Sequence, residues 1–200
     1  MLLYGASGHA KVICSALESR GINIIGIFDD NLNIIKLDDY KVLGLYNAQL
    51  YNDDKIIIAI GNNSIRKKIA VTIQHEFGTV SHSMSIVDKL TNIGTGTVIL
   101  HNALIQRGTI IGKHCIINSS SSIDHDCIID DFVHISPGST LCGNVEIGEG
   151  TQIGAGSTVI QNLKIGKWCT IGAGSVVINN VPDYSVVVGV PGKIIKNINK

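Results

Sequence analysis

The chain has 200 residues, and its 16 Lys and Arg residues are balanced by 16 Asp and Glu residues, so the formal net charge is zero. A neutral chain lacks the excess of basic residues that favours binding to nucleic acids or anionic membranes. No apolar run approaches the ~18 residues of a membrane span. The N-terminus has no basic region followed by a long apolar segment, so we expect a cytoplasmic protein with no signal peptide and no membrane or nucleic-acid partner.

Residues 1–82 alternate short apolar runs with amphipathic segments. The apolar runs predict strands within 1–5, 23–30 and 54–63. Helical spacing follows in 11–19 and in 64–77, where Ile65, Ile69 and Ile73 fall on one face. This alternation predicts a small Rossmann-like parallel α/β domain.

The loop Gly5-Ala6-Ser7-Gly8-His9 leads from the first strand to the first helix. Backbone N–H groups at a helix N-terminus can bind an anion such as a nucleotide-sugar diphosphate. The loop lacks the full G-x-G-x-x-G spacing of a nicotinamide site. A tight turn without a ligand explains the loop equally well.

Asp29 and Asp30 end the second predicted strand. Ligands of open α/β sheets bind beyond the carboxyl ends of the strands, where these carboxylates could accept hydrogen bonds from a ribose or a base. Solvated turn residues are the alternative interpretation.

An aliphatic residue recurs at every sixth position from residue 93 to residue 177, fifteen times without a break. A small or β-branched residue usually stands two positions earlier, and three of the five cysteines, Cys115, Cys127 and Cys169, do so. A period of six excludes a helix and predicts a strand and a corner in each repeat. The cysteines have no C-x-x-C spacing, which favours small buried residues in a reducing compartment. We therefore expect a parallel β-helix in which residues 18 apart stack.

The segment 121–138 places His125 and His134 between three of these anchors. Gly143 follows His125 by 18 residues, so it should lie one coil above, within about 4.8 Å. Asp126 should point away from the His125 ring if the two residues lie in a regular strand. His134 lies half a coil from His125, so the two side chains should point apart within one chain. If both serve one site, they should come from neighbouring subunits.

Both parts of the chain together resemble the sialic-acid O-acetyltransferase-like sugar acyltransferases. The motifs that carry the resemblance are the loop at 4–12, the acids at 28–30, the segment 58–69 and the two histidines within 124–138. Among these proteins the chain looks closest to N-acetyltransferases acting on UDP-4-amino-sugars. The resemblance implies a left-handed β-helix, acetyl-CoA as co-substrate, no metal, and homotrimers with active sites between subunits. It divides the chain into a nucleotide-sugar-binding domain (1–82), an acetyltransferase domain (83–181) and a C-terminal tail (182–200).

The resemblance also assigns roles to individual residues. It implies His125 as general base, Asp126 as its supporting acid and Asn118 as a further active-site residue. The acetyl-CoA side would include His134, Gly143, Gly154, Ala155, Gly172, Ala173 and Lys193, although Gly192 replaces a usual alanine in the tail. The nucleotide-sugar side would include Gly5, Ser7, Gly8, His9, Asp29, Asp30, Gly61 and Asn62.

The resemblance implies N-acetylation of a UDP-linked 4-amino-sugar, with direct attack of the amine on the thioester. A neutral imidazole with a pKa near 6.5 is suited to take the proton that the amine loses. O-acetylation of a sialic acid or another sugar by the same site is the nearest alternative. A non-catalytic scaffold that binds nucleotide sugars is another, and it should tolerate His125→Ala. A γ-class carbonic anhydrase would need three zinc histidines, and a metal site needs three or four convergent ligands. The remaining histidines, His75, His82, His101 and His114, are interpreted as surface or interface residues.

Overall fold

The N-terminal part of the protein is a small α/β domain. The structure, a computed structural model, describes residues 1–197, so the last three residues of the predicted tail lie outside it. The elements of this domain are β1 (Leu2–Tyr4), α1 (Gly8–Glu18), β2 (Gly26–Phe28), β3 (Lys36–Leu37), β4 (Tyr40–Gly44), β5 (Ile56–Ile58) and α2 (Asn63–Ala70). The sheet order is β3-β4-β2-β1-β5. The pairs of β1 with β2 and β1 with β5, which join the three predicted strands, are parallel as predicted. The strand β2 also pairs parallel with β4, and β3 pairs antiparallel with β4.

Two details of this domain differ from the prediction. The hairpin of β3 and β4 was not predicted, because the segment 36–44 carries as many charged as apolar residues. The second helix ends at Ala70 rather than extending through residue 77. The chain beyond it returns to the sheet, where Ile56 N donates to Glu76 O at 2.9 Å and Ile56 forms a parallel bridge with Phe77. This pairing takes precedence over the helical periodicity of the segment.

The rest of the described chain is the predicted left-handed parallel β-helix, with two-residue strands on three faces. The first face contains β6 (Val80–Ser81), β9 (Val98–Ile99), β12 (Ile116–Ile117), β15 (His134–Ile135), β18 (Gln152–Ile153), β21 (Thr170–Ile171), β23 (Ser185–Val188) and β24 (Lys193–Asn197). The second face contains β7 (Ile86–Val87), β10 (Leu104–Ile105), β13 (Ser122–Ile123), β16 (Thr140–Leu141), β19 (Thr158–Val159) and β22 (Val176–Val177). The third face contains β8 (Asn92–Ile93), β11 (Ile110–Ile111), β14 (Ile128–Ile129), β17 (Glu146–Ile147) and β20 (Lys164–Ile165).

Pairing on the first face begins at β6, before the predicted domain boundary at residue 83, and includes two strands of the predicted tail. The strand β23 pairs parallel with β21, and β24 pairs antiparallel with β23. The β-helix therefore extends into the described part of the tail.

The six-residue anchors form the core of the β-helix. Those from Ile99 to Val177 are at most 2% exposed, whereas Ile93 in the first coil is partly buried. Two positions before each anchor, small residues allow hydrogen bonds between neighbouring corners. For example, the Thr109 hydroxyl donates to Asp124 O at 2.8 Å. Residues 18 apart pair along each face, for example Ile105 with Ile123. The stacking of coils thus fixes the relative positions of residues that are 18 apart in the chain.

The α/β domain packs on the first face of the β-helix. Ile13 and Leu17 of α1 belong to the same buried cluster as Val98, Leu100 and Ile116 of the β-helix. Because this core is continuous across the two domains, the strand-end loops of the α/β sheet are held against the β-helix. No helix within residues 1–197 is both long enough and apolar enough to span a membrane.

Candidate active site

His125 and Asp126 form a solvent-exposed pair at a corner of the β-helix. Their side chains are 59% and 66% exposed, and His125 Nδ1 lies 2.8 Å from Asp126 Oδ2. The expectation that Asp126 points away from the ring is wrong, because the pair lies at a corner and Asp126 adopts a left-handed φ of 59°. The hydrogen bond to Asp126, followed by the charge of Asp124, raises the pKa of His125. A carboxylate on Nδ1 leaves Nε2 as the nitrogen that can accept a proton.

Gly143 lies directly against the His125 ring, one coil above it. A Cβ at position 143 would lie 2.7 Å from both Cε1 and Nε2 of His125. Asn144 N donates to His125 O at 2.9 Å, which fixes the two corners relative to each other. Within residues 1–197, the Gly143 N–H has no hydrogen-bond acceptor. The Nε2 atom of His125 and an available backbone donor are therefore neighbours.

Asn118 and His134 form a second group, on the first face of the β-helix. Asn118 Oδ1 accepts a hydrogen bond from Ser119 N at 2.8 Å, and Asn118 Nδ2 lies 3.0 Å from His134 Nε2. Since the amide oxygen is already used, the amide nitrogen faces the ring and Nε2 must accept. His134 is therefore neutral, with its proton on Nδ1.

His9 completes this second group from the α/β domain. Its ring centroid lies 6.5 Å from that of His134, and its Nε2 is buried with no hydrogen-bond partner. Burial, then the charge of Arg66, lowers the pKa of His134 to about 3 and that of His9 to about 4. Both rings are consequently uncharged near neutral pH.

Arg66 is a site residue that the sequence analysis missed. Its side chain is 1% exposed, whereas Ile65, which was expected on the buried face of the helix, is 47% exposed. The guanidinium donates to the carbonyls of Ile60, Gly61, His114 and Phe132 and to Asn63 Oδ1, at distances from 2.8 to 3.2 Å. The spacing of Asn63 and Arg66, one helical turn apart, is the only local signal of this arrangement.

The N-terminus of α1 presents its backbone donors at the carboxyl ends of the parallel strands. Ser7 is the N-cap residue, and its side chain makes no capping hydrogen bond. A Cβ at Gly8 would meet no heavy atom within 4 Å, so open space lies beside this turn. Gly5 has a left-handed φ of 106° and packs against Ile60, which makes it a turn residue. The open turn is suited to an anion, and its role in substrate binding stays a prediction.

Asp29 and Asp30 are fixed differently. Asp29 Oδ2 accepts from Ala6 N at 2.6 Å, and Oδ1 accepts from Asn31 N at 2.8 Å. Asp30 Oδ1 accepts from the Tyr4 hydroxyl at 2.7 Å, and no other hydrogen bond reaches this carboxylate within residues 1–197. Asp29 therefore holds the loop together, whereas Asp30 keeps an oxygen for a ligand.

Gly61 and Asn62 follow β5, next to the Gly8 turn in the sheet order. A Cβ at Gly61 would meet no heavy atom within 4 Å. Asn62 caps α2, because its Oδ1 accepts from Ile65 N at 3.0 Å. Asn62 thus has a structural role, and its contact with a substrate stays a prediction.

The residues assigned to acetyl-CoA by resemblance are spread along the β-helix. Gly154 and Gly172 are close-packed between coils, since a Cβ would lie 2.5 Å from Ile171 O and 2.8 Å from Val188 Cγ1, respectively. Ala155, Ala173 and Lys193 are exposed. Coil stacking alone explains the two glycines, so contacts of these five residues with acetyl-CoA stay predictions.

The described contacts bring the sequence-predicted residues into two groups rather than one. His125, Asp126 and Gly143 form the exposed group, and His9, Asn118, His134 and the neighbouring Gly61 loop form the group beneath the α/β domain. No hydrogen bond, ion pair or ring contact within residues 1–197 joins the two groups. This agrees with the expectation that His125 and His134 point apart in one chain.

The other histidines and the cysteines have structural environments. His75, His82 and His114 are buried, so their interpretation as surface residues is wrong, although the stacked rings of His82 and His101 do lie where α1 meets the β-helix. All five cysteines are free, and Cys142 alone is only partly buried. Among residues 1–197, no group of three or more His, Cys, Asp or Glu side chains is arranged to hold a metal ion.

Family models match both parts of the chain. Residues 1–73 match the PglD N-terminal domain, and residues 126–161 and 144–179 match the bacterial transferase hexapeptide (six repeats).

A curated relative matches about half of the chain. The UDP-N-acetylbacillosamine N-acetyltransferase of Bacillus subtilis (strain 168) is 38% identical over 107 residues, which are 49% of this chain and 50% of that protein. The matched segment therefore spans only half the length of this relative.

Two solved structures are similar over nearly the whole chain. PerB from Caulobacter crescentus, in complex with CoA and GDP-perosamine, is 30% identical, with a TM-score of 0.93 over 98% of this chain and 96% of that chain. The acetyltransferase domain of PglB from Neisseria gonorrhoeae FA1090, in complex with acetyl coenzyme A, is 33% identical, with a TM-score of 0.88 over 97% and 98%. Both similarities include the α/β domain and the β-helix.

Proposed function

The chain belongs to the hexapeptide-repeat acetyltransferases with a PglD N-terminal domain, enzymes that use acetyl-CoA, and we propose that it acetylates the amine of a UDP-linked 4-amino-sugar. The observation that carries this proposal is the exposed His125–Asp126 pair beside Gly143. A curated relative named for a UDP-sugar N-acetyltransferase activity and a structural relative in complex with GDP-perosamine support a nucleotide-linked amino sugar as acceptor.

In this mechanism, His125 is the general base. The amine attacks the thioester carbonyl, and His125 Nε2 accepts the proton that the nitrogen loses. As the tetrahedral intermediate collapses, the C–S bond breaks and the imidazolium gives this proton to the departing thiolate, so coenzyme A leaves as the free thiol and the base is regenerated. The Asp126 carboxylate holds Nδ1–H and stabilises the imidazolium that forms. The Gly143 N–H, which has no acceptor within residues 1–197, can donate to the developing oxyanion next to that base. A thioester is already activated, so no covalent acyl-enzyme is required and transfer takes place in a ternary complex.

The nucleotide-sugar is proposed to bind at the strand ends of the α/β domain. The open turn at Gly8 would take the diphosphate through backbone N–H groups, and the available oxygen of Asp30 would accept from the ribose or base. His9, which follows this turn, and the Gly61 loop both lie close to His134. The sugar can therefore extend from the α/β domain toward the first face of the β-helix.

The active site is proposed to lie between subunits of a homotrimer. Within one chain, His125 is exposed at a corner, whereas His134 and Asn118 lie beneath the α/β domain. Contribution of the two groups by adjacent β-helices would let all three residues serve one reaction. We place the enzyme in the cytoplasm, where acetyl-CoA and nucleotide sugars are supplied.

An acceptor panel tests the proposed reaction. Thiol release from acetyl-CoA is measured with UDP-4-amino-sugars, with UDP-sugars that lack the amine and with sialic acids, and His125→Ala is assayed in parallel. We expect release with the amino sugars and a loss of about 10²- to 10⁴-fold in the variant. Release only with hydroxyl-bearing acceptors would instead identify an O-acetyltransferase, and full activity of His125→Ala would exclude His125 as the base.

A further inference from the structure

Arg66 is a buried cation that is paired only with neutral groups. Its five N–H donors are matched by four backbone carbonyls and one side-chain amide oxygen, and it takes part in no ion pair within residues 1–197. Burial lowers the pKa of this guanidinium to about 10, which still leaves it charged near neutral pH. Burying a charge without a counter-ion is unfavourable, so its retention calls for a specific geometric role.

The acceptors of Arg66 lie in both domains. Ile60 and Gly61 belong to the loop after β5 in the α/β domain, whereas His114 and Phe132 are corner residues of the β-helix. One guanidinium therefore fixes the distances between this loop and the two corners of the β-helix. A planar fork of five donors can do this, whereas the three tetrahedral donors of a lysine cannot reach all these acceptors.

Each of these two sets of acceptors includes a neighbour of His134. Phe132 O, which accepts from Arg66 at 3.0 Å, stands two residues before His134 in the same coil. The backbone of Gly61, whose carbonyl accepts from Arg66 at 3.2 Å, also interacts with the His134 ring. The position of His134 relative to the Gly61 loop thus depends on Arg66.

We propose that Arg66 is a positioning residue of acetyl transfer, which holds the nucleotide-sugar loop at Gly61 in register with His134 on the β-helix. This inference rests on the proposed function, because it takes the Gly61 loop as part of the sugar site and His134 as part of the thioester site. Arg66 itself touches neither substrate and acts through these two groups.

Helix α2 offers a matched control in the next residue. The Lys67 ammonium pairs with Glu149 and lies 5.3 Å from the Trp168 ring centroid, so it also joins the helix to the β-helix. Among the described residues, Lys67 makes no hydrogen bond, ion pair or ring contact with Ile60, Gly61 or His134, although its ammonium lies 5.9 Å from the Phe132 ring centroid. Lys67→Met therefore weakens domain docking without releasing the loop, whereas Arg66→Lys keeps the charge and releases the loop.

The test compares these two variants with the wild-type protein in three measurements. Thermal unfolding verifies that each variant is folded. Hydrogen exchange measures the exchange rates of the backbone amides in 59–63. Steady-state kinetics are recorded with each substrate varied in turn. For Arg66→Lys we expect faster exchange in 59–63 and a loss of about 10- to 100-fold in kcat/KM for the nucleotide sugar. The KM for acetyl-CoA should be unchanged, and Lys67→Met should stay within about twofold of the wild type in all kinetic constants.

Wild-type kinetics of Arg66→Lys, or an equal loss in Lys67→Met, would overturn the inference. If Arg66→Lys does not fold, hydrogen exchange of the wild-type protein with and without UDP provides the test. Joint protection of 59–63 and 132–136 is expected, and protection restricted to 59–63 would overturn the inference. Absence of acetyl transfer by the wild-type protein to every nucleotide amino sugar would instead contradict the proposed function.

Discussion

The His125 ring and the Asp126 carboxylate are adjacent in sequence and joined by a hydrogen bond of 2.8 Å between Nδ1 and Oδ2. The left-handed backbone of Asp126 turns its side chain back toward the ring. Nε2 is left free of the carboxylate and faces Gly143. A base with a fixed tautomer thus results from the conformation of one corner residue.

Asp126→Asn should lower the plateau of kcat/KM and should shift the acidic limb of the pH profile to lower pH. The hydrogen bond to Asp126 is the largest cause of the raised pKa of His125, so its weakening lowers that pKa. Because the neutral ring is the base, the acidic limb of the kcat/KM profile should move to lower pH. The plateau should fall by about 10- to 100-fold, since the tautomer and orientation of the ring are no longer fixed. A full pH–rate profile measures both effects.

Asp124→Asn is the control for that experiment. Asp124 Oδ1 accepts from His125 N at 2.8 Å and does not contact the ring, although its charge also raises the pKa of His125. This variant should shift the acidic limb in the same direction while the plateau stays near the wild-type value. An equal loss of the plateau in both variants would show that ring orientation by Asp126 is not needed.

Gly143→Ala should impair catalysis without destabilising the fold. The added Cβ would lie 2.7 Å from two atoms of the His125 ring, which is exposed and can move aside. Displacement of the base by about 1 Å costs on the order of 10²-fold in kcat. Thermal unfolding should be unchanged, because the clash is with a mobile side chain and not with the backbone.

The same substitution in a His125→Ala background distinguishes two roles of Gly143. If the glycine serves only to seat the ring, the double variant should be no slower than His125→Ala. A further loss of similar size would mean that the methyl group obstructs the thioester directly.

Asp29→Asn should change the stability of the protein, whereas Asp30→Asn should change the binding of the nucleotide sugar. Both oxygens of Asp29 accept backbone N–H groups, so an amide at this position loses one of these bonds and should lower the free energy of unfolding by about 1.5–3 kcal/mol. Asp30 uses one oxygen for the Tyr4 hydroxyl, so Asp30→Asn should instead raise the KM for the nucleotide sugar. Chemical denaturation and kinetics of both variants measure these effects. Unfolding data that rank the two variants in the reverse order would contradict the assignment.

Gly8→Ala should raise the KM for the nucleotide sugar while the protein stays fully folded. Position 8 is the first residue of α1, its φ is not left-handed, and a Cβ there meets no heavy atom within 4 Å. The methyl group would occupy the space proposed for the diphosphate. The KM for acetyl-CoA is the internal control, and a variant with both KM values unchanged would exclude this turn from the substrate site.

The sequence predicts the β-helix well because its signal is local and repeated. Every anchor such as Ile123 or Ile153 points inward for the same reason, so the pattern needs no knowledge of distant contacts. The end of α2 is not local in this way. Its helical spacing continues to Phe77, but the pairing of Ile56 with the segment 76–77 depends on the sheet.

Two features of the candidate site depend on tertiary structure: the contact of Asp126 with the His125 ring, which the resemblance implied but strand geometry did not predict, and the burial of Arg66, which was not predicted at all. The reach of Asp126 follows from a left-handed φ that the corner imposes, and neither residue of the His125–Asp126 pair reveals it. The buried Arg66 guanidinium donates to the carbonyls of His114 and Phe132, which are 48 and 66 residues away in the chain. Next to two lysines, it has the appearance of an ordinary surface cation.

The stacking of Gly143 on His125 also sets a unit of length for protein engineering. A deletion of one whole coil above the site, such as 146–163, would rejoin equivalent positions and leave this pair in place. A deletion of six or twelve residues would keep the anchors pointing inward but move every later residue to a different face, and a deletion whose length is not a multiple of six would also remove the inward direction of the later anchors. The β-helix can therefore be shortened or extended in steps of 18 residues without separating His125 from Gly143.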